Sequence, residues 1–187
     1  MRTARTVAVA LLCALAAAAA GCGSMAAQYA REARSSYISA RAVLVGLQEF
    51  PSRMELLLRE GDWQTLEKSG EGLIEDARDL VSATFAALRT VEDKCEALKG
   101  EGSREYDPYA EKLLQLVEMN EDIVGAYTEF IGFSSSALEG IPYRDDPRAL
   151  MPVLQAMDAA AARIQERLAE LELREEEAEA LYRETIR

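Results

Sequence analysis

The chain has 187 residues, with 21 Lys and Arg against 33 Asp and Glu, a formal charge of −12, 49% hydrophobic residues and no histidine. That hydrophobic share can build a core, so wholesale disorder is excluded, and the length suits one domain or two very small ones. Without histidine there is no imidazole base, no Ser-His or Cys-His nucleophile and no imidazole metal ligand, and the acidity argues against binding nucleic acid through its phosphates.

The first element is an export signal. Residues 1–6 carry Arg2 and Arg5 and no acid, and Val7–Ala20 then form an unbroken apolar run of 14 residues. About 20 apolar residues are needed to span a bilayer as a helix, so the run is short for a permanent anchor. A basic start, a short apolar stretch and the small residues Ala19, Ala20 and Gly21 make a secretory signal. The cysteine that follows them, Cys22, supplies a thiol for lipid attachment.

Ala19-Ala20-Gly21-Cys22 resembles the lipobox of bacterial lipoproteins, with alanine at the first position where most members have leucine. The resemblance covers residues 1–22 only. It implies a signal peptide over 1–21, removed on export, and a domain over 22–187 tethered through Cys22. On that reading Cys22 carries a thioether-linked diacylglycerol and usually an amide-linked acyl chain such as palmitate. Several acyl chains hold a protein on a membrane far more durably than one. Gly23 stands where aspartate would mark inner-membrane retention, so in a Gram-negative cell the expected address is the periplasmic face of the outer membrane. An ordinary signal cut near Ala20 or Gly23, with Cys22 incidental, is the alternative. Cys13 would leave with the signal, and Cys95 alone would remain, so no internal disulfide is expected.

Beyond the signal the breakers are few: Gly61-Asp62, Gly100 to Ser103, and Gly140 to Pro147. They define helical segments over 24–60, 62–99, 104–138 and 147–187. The first carries a stripe of Ala26, Tyr29, Ala33, Ser36, Ala40, Val43, Leu47, Phe50, Met54 and Leu57. In the second the stripe is Trp63, Leu66, Gly70, Leu73, Ala77, Leu80, Thr84, Ala87, Val91, Cys95 and Leu98. The third reads Tyr106, Tyr109, Leu113, Leu116, Asn120, Ile123, Tyr127 and Phe130, and the fourth Leu150, Leu154, Met157, Ala161, Ile164, Leu168, Leu171, Glu175, Ala178, Tyr182 and Thr185.

Steps averaging about 3.5 residues are the pattern of bundles and coiled coils. The predicted fold is therefore all-α, an antiparallel up-down-up-down four-helix bundle of long helices with coiled-coil-like packing. A long helical hairpin that completes its core by homodimerising is the rival arrangement. Asp62 can cap the second helix, Asp107-Pro108 or Ser103 can start the third, and Asp146-Pro147 suits the start of the fourth. Pro51 should kink or interrupt the first helix near Glu49, and Pro152 either kinks the fourth or marks its first turn.

Candidate chemistry is sparse. Glu67, Glu71 and Glu75 share one face, and Glu118, Glu121 and Asp122 form a second acidic group that could hold a hard cation. None lies on a stripe, so both sets read as solvated outer faces, and no catalytic, cofactor or metal residue is assigned. Glu175 does lie on a stripe, inside the acidic run from Glu170 to Glu179. It is expected to be solvated, on a helix end that projects past the core. Cys95 reads as core filler and Asn120 as a register-fixing amide. The tyrosines at 106, 109 and 127 read as core, and Ser134-Ser135-Ser136 lacks any base.

The functional expectation is an envelope lipoprotein acting as a non-enzymatic helical scaffold or protein-interaction module. Its partners would be the membrane, through the lipid anchor, and an envelope protein, with no nucleic acid and no cofactor. The alternative is a carrier of a small ligand or a divalent cation.

Overall fold

The computed structural model describes residues 25–60, 63–140 and 147–185. The expected signal peptide, Cys22 and the caps Asp62 and Asp146 lie outside the described residues, as do the side chains of Trp63, Leu66 and Glu67. Helix α1 spans 25–45, α2 Phe50–Glu60, α3 Trp63–Gly100, α4 Asp107–Glu139 and α5 Pro147–Thr185. There is no strand among the described residues.

The helices pack in the predicted up-down-up-down order. Lys94 on α3 pairs with Glu32 on α1 at 2.7 Å, whereas Leu80, earlier on α3, lies against Gly46, just past the far end of α1. Gly70 meets Leu138, and Lys99 reaches Glu111, so α3 and α4 are antiparallel. Lys112 pairs with Glu177, and Arg163 with Glu129, so α4 and α5 are antiparallel too. Arg34 and Arg41 pair with Glu179 and Glu175, which closes the ring between α1 and α5. One core runs through all of it.

Proline decides the one interruption within the first segment. Pro51 has no N–H to donate, and its ring would clash with the carbonyl of Leu47 in a continuous helix. Residues 46–49 instead tighten into turns, with Gly46, Leu47 and Gln48 donating to Val43, Leu44 and Val45 at 2.9–3.1 Å. The helix restarts at Phe50 with Pro51 in its first turn, where proline is tolerated. Pro152 sits inside α5, one turn past Pro147, without breaking it. Between α3 and α4 the chain turns through Gly102, whose φ of 63° is a left-handed conformation that favours glycine.

The stripes are present, but three of them lie partly one residue from where spacing puts them, and in α5 Ala160 is buried in place of the expected Ala161. In α1 the buried set is Ala26, Ala30, Ala33, Tyr37, Ala40, Leu44 and Leu47, so Tyr29, Ser36 and Val43 give way to their neighbours. In α3, Ile74 and Leu88 are buried, while Leu73, Leu80 and Ala87 are half-buried. A seven-residue repeat fixes every second knob, and the knob between can fall at +3 or +4 depending on which neighbour the helix leans toward. All eight expected positions of the third stripe, from Tyr106 just before α4 to Phe130, are buried, and a second stripe of Ala110, Val117, Val124 and Ile131 joins them. That helix packs against both α3 and α5, so it needs a wider apolar face.

Candidate functional site

Midway along the bundle, a polar cluster replaces apolar packing. Asn120 is 1% exposed and donates from Nδ2 to the Leu116 carbonyl at 2.6 Å and to Tyr37 Oη at 3.2 Å. The Tyr37 hydroxyl donates in turn to Glu175 Oε1 at 2.5 Å. Arg41 holds the same carboxylate, from Nε at 2.5 Å and from Nη2 at 3.4 Å. The side chains of Arg41 and Glu175 are only 16% and 25% exposed. Burial, then the Glu175 carboxylate, push the Tyr37 phenol far above its ordinary range, so it stays a neutral donor. Nearby, Arg41 Nη1 and the Oη of Tyr127 are buried without a hydrogen-bond partner among the described residues.

This geometry corrects the expectation for Glu175. Its helix does not project past the core: Ala178 is buried, and Tyr182 packs on Tyr109 with ring centroids 5.2 Å apart. The reason is α1, which runs beside the last turns of α5 and brings Arg34, Tyr37 and Arg41 to meet them. Arg34 grips Glu179 with two bonds of 2.9 and 3.0 Å and lies 4.8 Å from the Tyr182 ring centroid. Hydrogen bonds from Arg34 hold the Glu179 carboxyl below its usual value, and the bond from Lys112 does the same for Glu177. Much of the acidic run is thus stapled to α1 and α4.

Asn120 lies where its stripe places it. Spacing alone does not name Tyr37, Arg34 and Arg41 as partners of the acidic run, although the sequence holds a signal. Two arginines one heptad apart flank Tyr37 at positions suited to interhelical pairing.

The other candidates remain apart. The Cys95 thiol is buried and pushed up to about 12, chiefly by burial, which leaves it a poor nucleophile. Glu71, Glu75, Glu118 and Asp122 are exposed and Glu121 is half-buried. Among the described residues no three metal-ligating side chains converge. Tyr106, Tyr109 and Tyr127 are buried in the core. Ser134 is also buried and donates to the Phe130 carbonyl, and Ser135 accepts from Arg78.

Among the described residues, two grooves open between α5 and a neighbouring helix. One, of about 420 Å³, lies between α1 and α5 over the polar cluster, floored by Leu113 and Leu116 and edged by Ile38 and Val45, each 51% exposed. The second, of about 500 Å³, lies further along between α2 and α5, with Phe130 and Ala137 of α4 as its floor. No described helix is long and apolar enough to cross a membrane. Comparison with protein-family models, with curated proteins and with solved structures finds no match to this chain.

Proposed function

We propose that the protein is an envelope lipoprotein, tethered to a membrane through Cys22, whose bundle is a non-enzymatic scaffold that engages an envelope protein. The observation that carries the scaffold reading is the polar cluster. Its polar side chains (Arg41, Glu175, Tyr37 and Asn120) bond within the cluster, with Arg41 Nη1 alone left over among them, and the groove beside them is largely apolar. Such an arrangement holds helices in register and presents shape, whereas catalysis needs groups aimed at a substrate. The anchor reading rests on the lipobox-like residues 19–22. An acidic surface is repelled by anionic head groups, which favours attachment through lipid over attachment through charge.

Two measurements test the two halves. Cys22→Ser should move the protein from the membrane to the soluble fraction, and unchanged detergent partitioning of the processed variant would refute lipid tethering. Crosslinking in intact cells from positions 38 and 45, followed by mass spectrometry, should give one dominant protein adduct that replacement of Ile38 and Val45 by serine removes. Adducts scattered over many abundant proteins would refute a specific scaffold. A second reading, a carrier of a small ligand, is favoured by the groove between α2 and α5.

A further inference from the structure

We propose that the groove between α2 and α5 is a binding site for a small cationic amphiphile, a molecule with an apolar body and an ammonium or guanidinium head. The site deepens the carrier reading, on which it rests, and does not depend on the scaffold reading. The groove exists because the break at 46–49 redirects the chain, and α2 takes α3 as its packing partner. Phe130 in the floor is held by Phe50, edge to face at 5.6 Å. Leu150 in the wall is seated so close to Gly140 that a Cβ there would lie 2.7 Å from its Cδ2. The opening is therefore bounded by packed groups on two sides.

Size and charge select the occupant. About 500 Å³ lies within the ~300–1,000 Å³ typical of small-molecule sites. With a helix diameter of about 10–12 Å, that space holds on the order of one helical turn, so an inserted partner helix does not fit. Leu58, Leu154 and Met157 offer an apolar lining. On the rim Glu55 is already paired with Arg59, while Asp158 has no ion pair among the described residues. The rim thus keeps one uncompensated carboxylate, which attracts a cationic head and repels an anionic one.

The test is calorimetric titration of the full chain carrying Cys22→Ser with octyltrimethylammonium, octanol and octanoate, each below its micelle concentration. Saturable one-to-one binding of the ammonium is expected, about three- to tenfold tighter than octanoate, with the difference shrinking in salt. From hexyl to decyl ammonium, affinity should rise about fourfold per methylene until the groove is full. Ala161→Phe, which fills the groove from α5, should weaken binding by roughly tenfold or more. Asp158→Asn, at an exposed position, should erase the head-group preference and keep the chain-length dependence. Octanoate binding as tightly as the ammonium would overturn the assignment. So would binding that Ala161→Phe leaves unchanged with helicity intact, or the absence of saturation. If Ala161→Phe loses helicity, Asp158→Asn alone decides: an unchanged preference refutes the site.

Discussion

Replacing Glu175 by leucine discriminates most sharply between a solvated helix end and a buried polar cluster. The carboxylate accepts from the Tyr37 hydroxyl and from two nitrogens of Arg41. Leucine would leave a guanidinium that is 16% exposed with no acceptor for either nitrogen, beside an Nη1 that already lacks one. Breaking a buried ion pair from one side costs about 3–5 kcal/mol. Solvent reaching a quarter of Glu175 reduces this to roughly 2–3 kcal/mol. In a chain of this length that lowers Tm by roughly 5–10 °C. Thermal and urea melts followed by circular dichroism measure it.

The companion double variant, Arg41→Met with Glu175→Leu, removes both charges and should recover most of the loss, since apolar groups of similar volume replace such pairs at little cost. Ile164→Ala, fully buried on the same helix, sets the scale at roughly 2–5 kcal/mol. A loss below about 0.5 kcal/mol for Glu175→Leu would refute the buried-cluster account. A double variant as unstable as the single would refute the unpaired-cation mechanism.

Asn120→Leu should change stability by no more than about 1 kcal/mol in urea melts, because the Tyr37 hydroxyl keeps Glu175 as acceptor and no buried donor is orphaned. Hydrogen exchange should nevertheless report a looser α1–α4 register in that variant. Cys95 should be inert to a thiol-specific reagent in the folded state and react at the rate of unfolding, since burial raises its pKa to about 12. Fast labelling without unfolding would contradict its burial. The Glu179 carboxyl is lowered from 4.5 by its bonds to Arg34, so in acid the unfolded chain binds the extra proton first. The stabilisation it gives is complete above about pH 4.5 and disappears as pH falls through the lowered folded value. Urea midpoints of the wild type and Glu179→Gln should therefore differ at neutral pH and converge as the pH falls below 4.5. A gap that widens in acid would reverse the sign.

Features that a single helix can encode are legible along the chain. Breakers at Gly61, Gly100–Gly102 and Gly140–Pro147 delimit the helices, because glycine and proline act locally. Pro51 interrupts the first segment for the same reason, and Asn120 is buried because Leu116 and Ile123 flank it on its own stripe. The choice between Ser36 and Tyr37 for one place in the seam is not such a feature, since both satisfy the period.

Assembly of the bundle settles that choice, together with the fate of Glu175 and the opening of the grooves. Tyr37 turns inward because α4 offers Asn120, 83 residues away along the chain, and α5 offers Glu175, 138 residues away, at the same level. Glu175 reads as one acid in a run of acids until α1 lies beside it and supplies Arg41. The groove beside Asp158 depends on α2 leaning toward α3, a choice between neighbours that neither helix encodes alone. Periodicity fixes which side of a helix is apolar to within about one residue, because it sums contributions along one segment. Whether a polar group on the edge of that side is solvated or locked is set by what packs across from it, and that is a property of the folded whole.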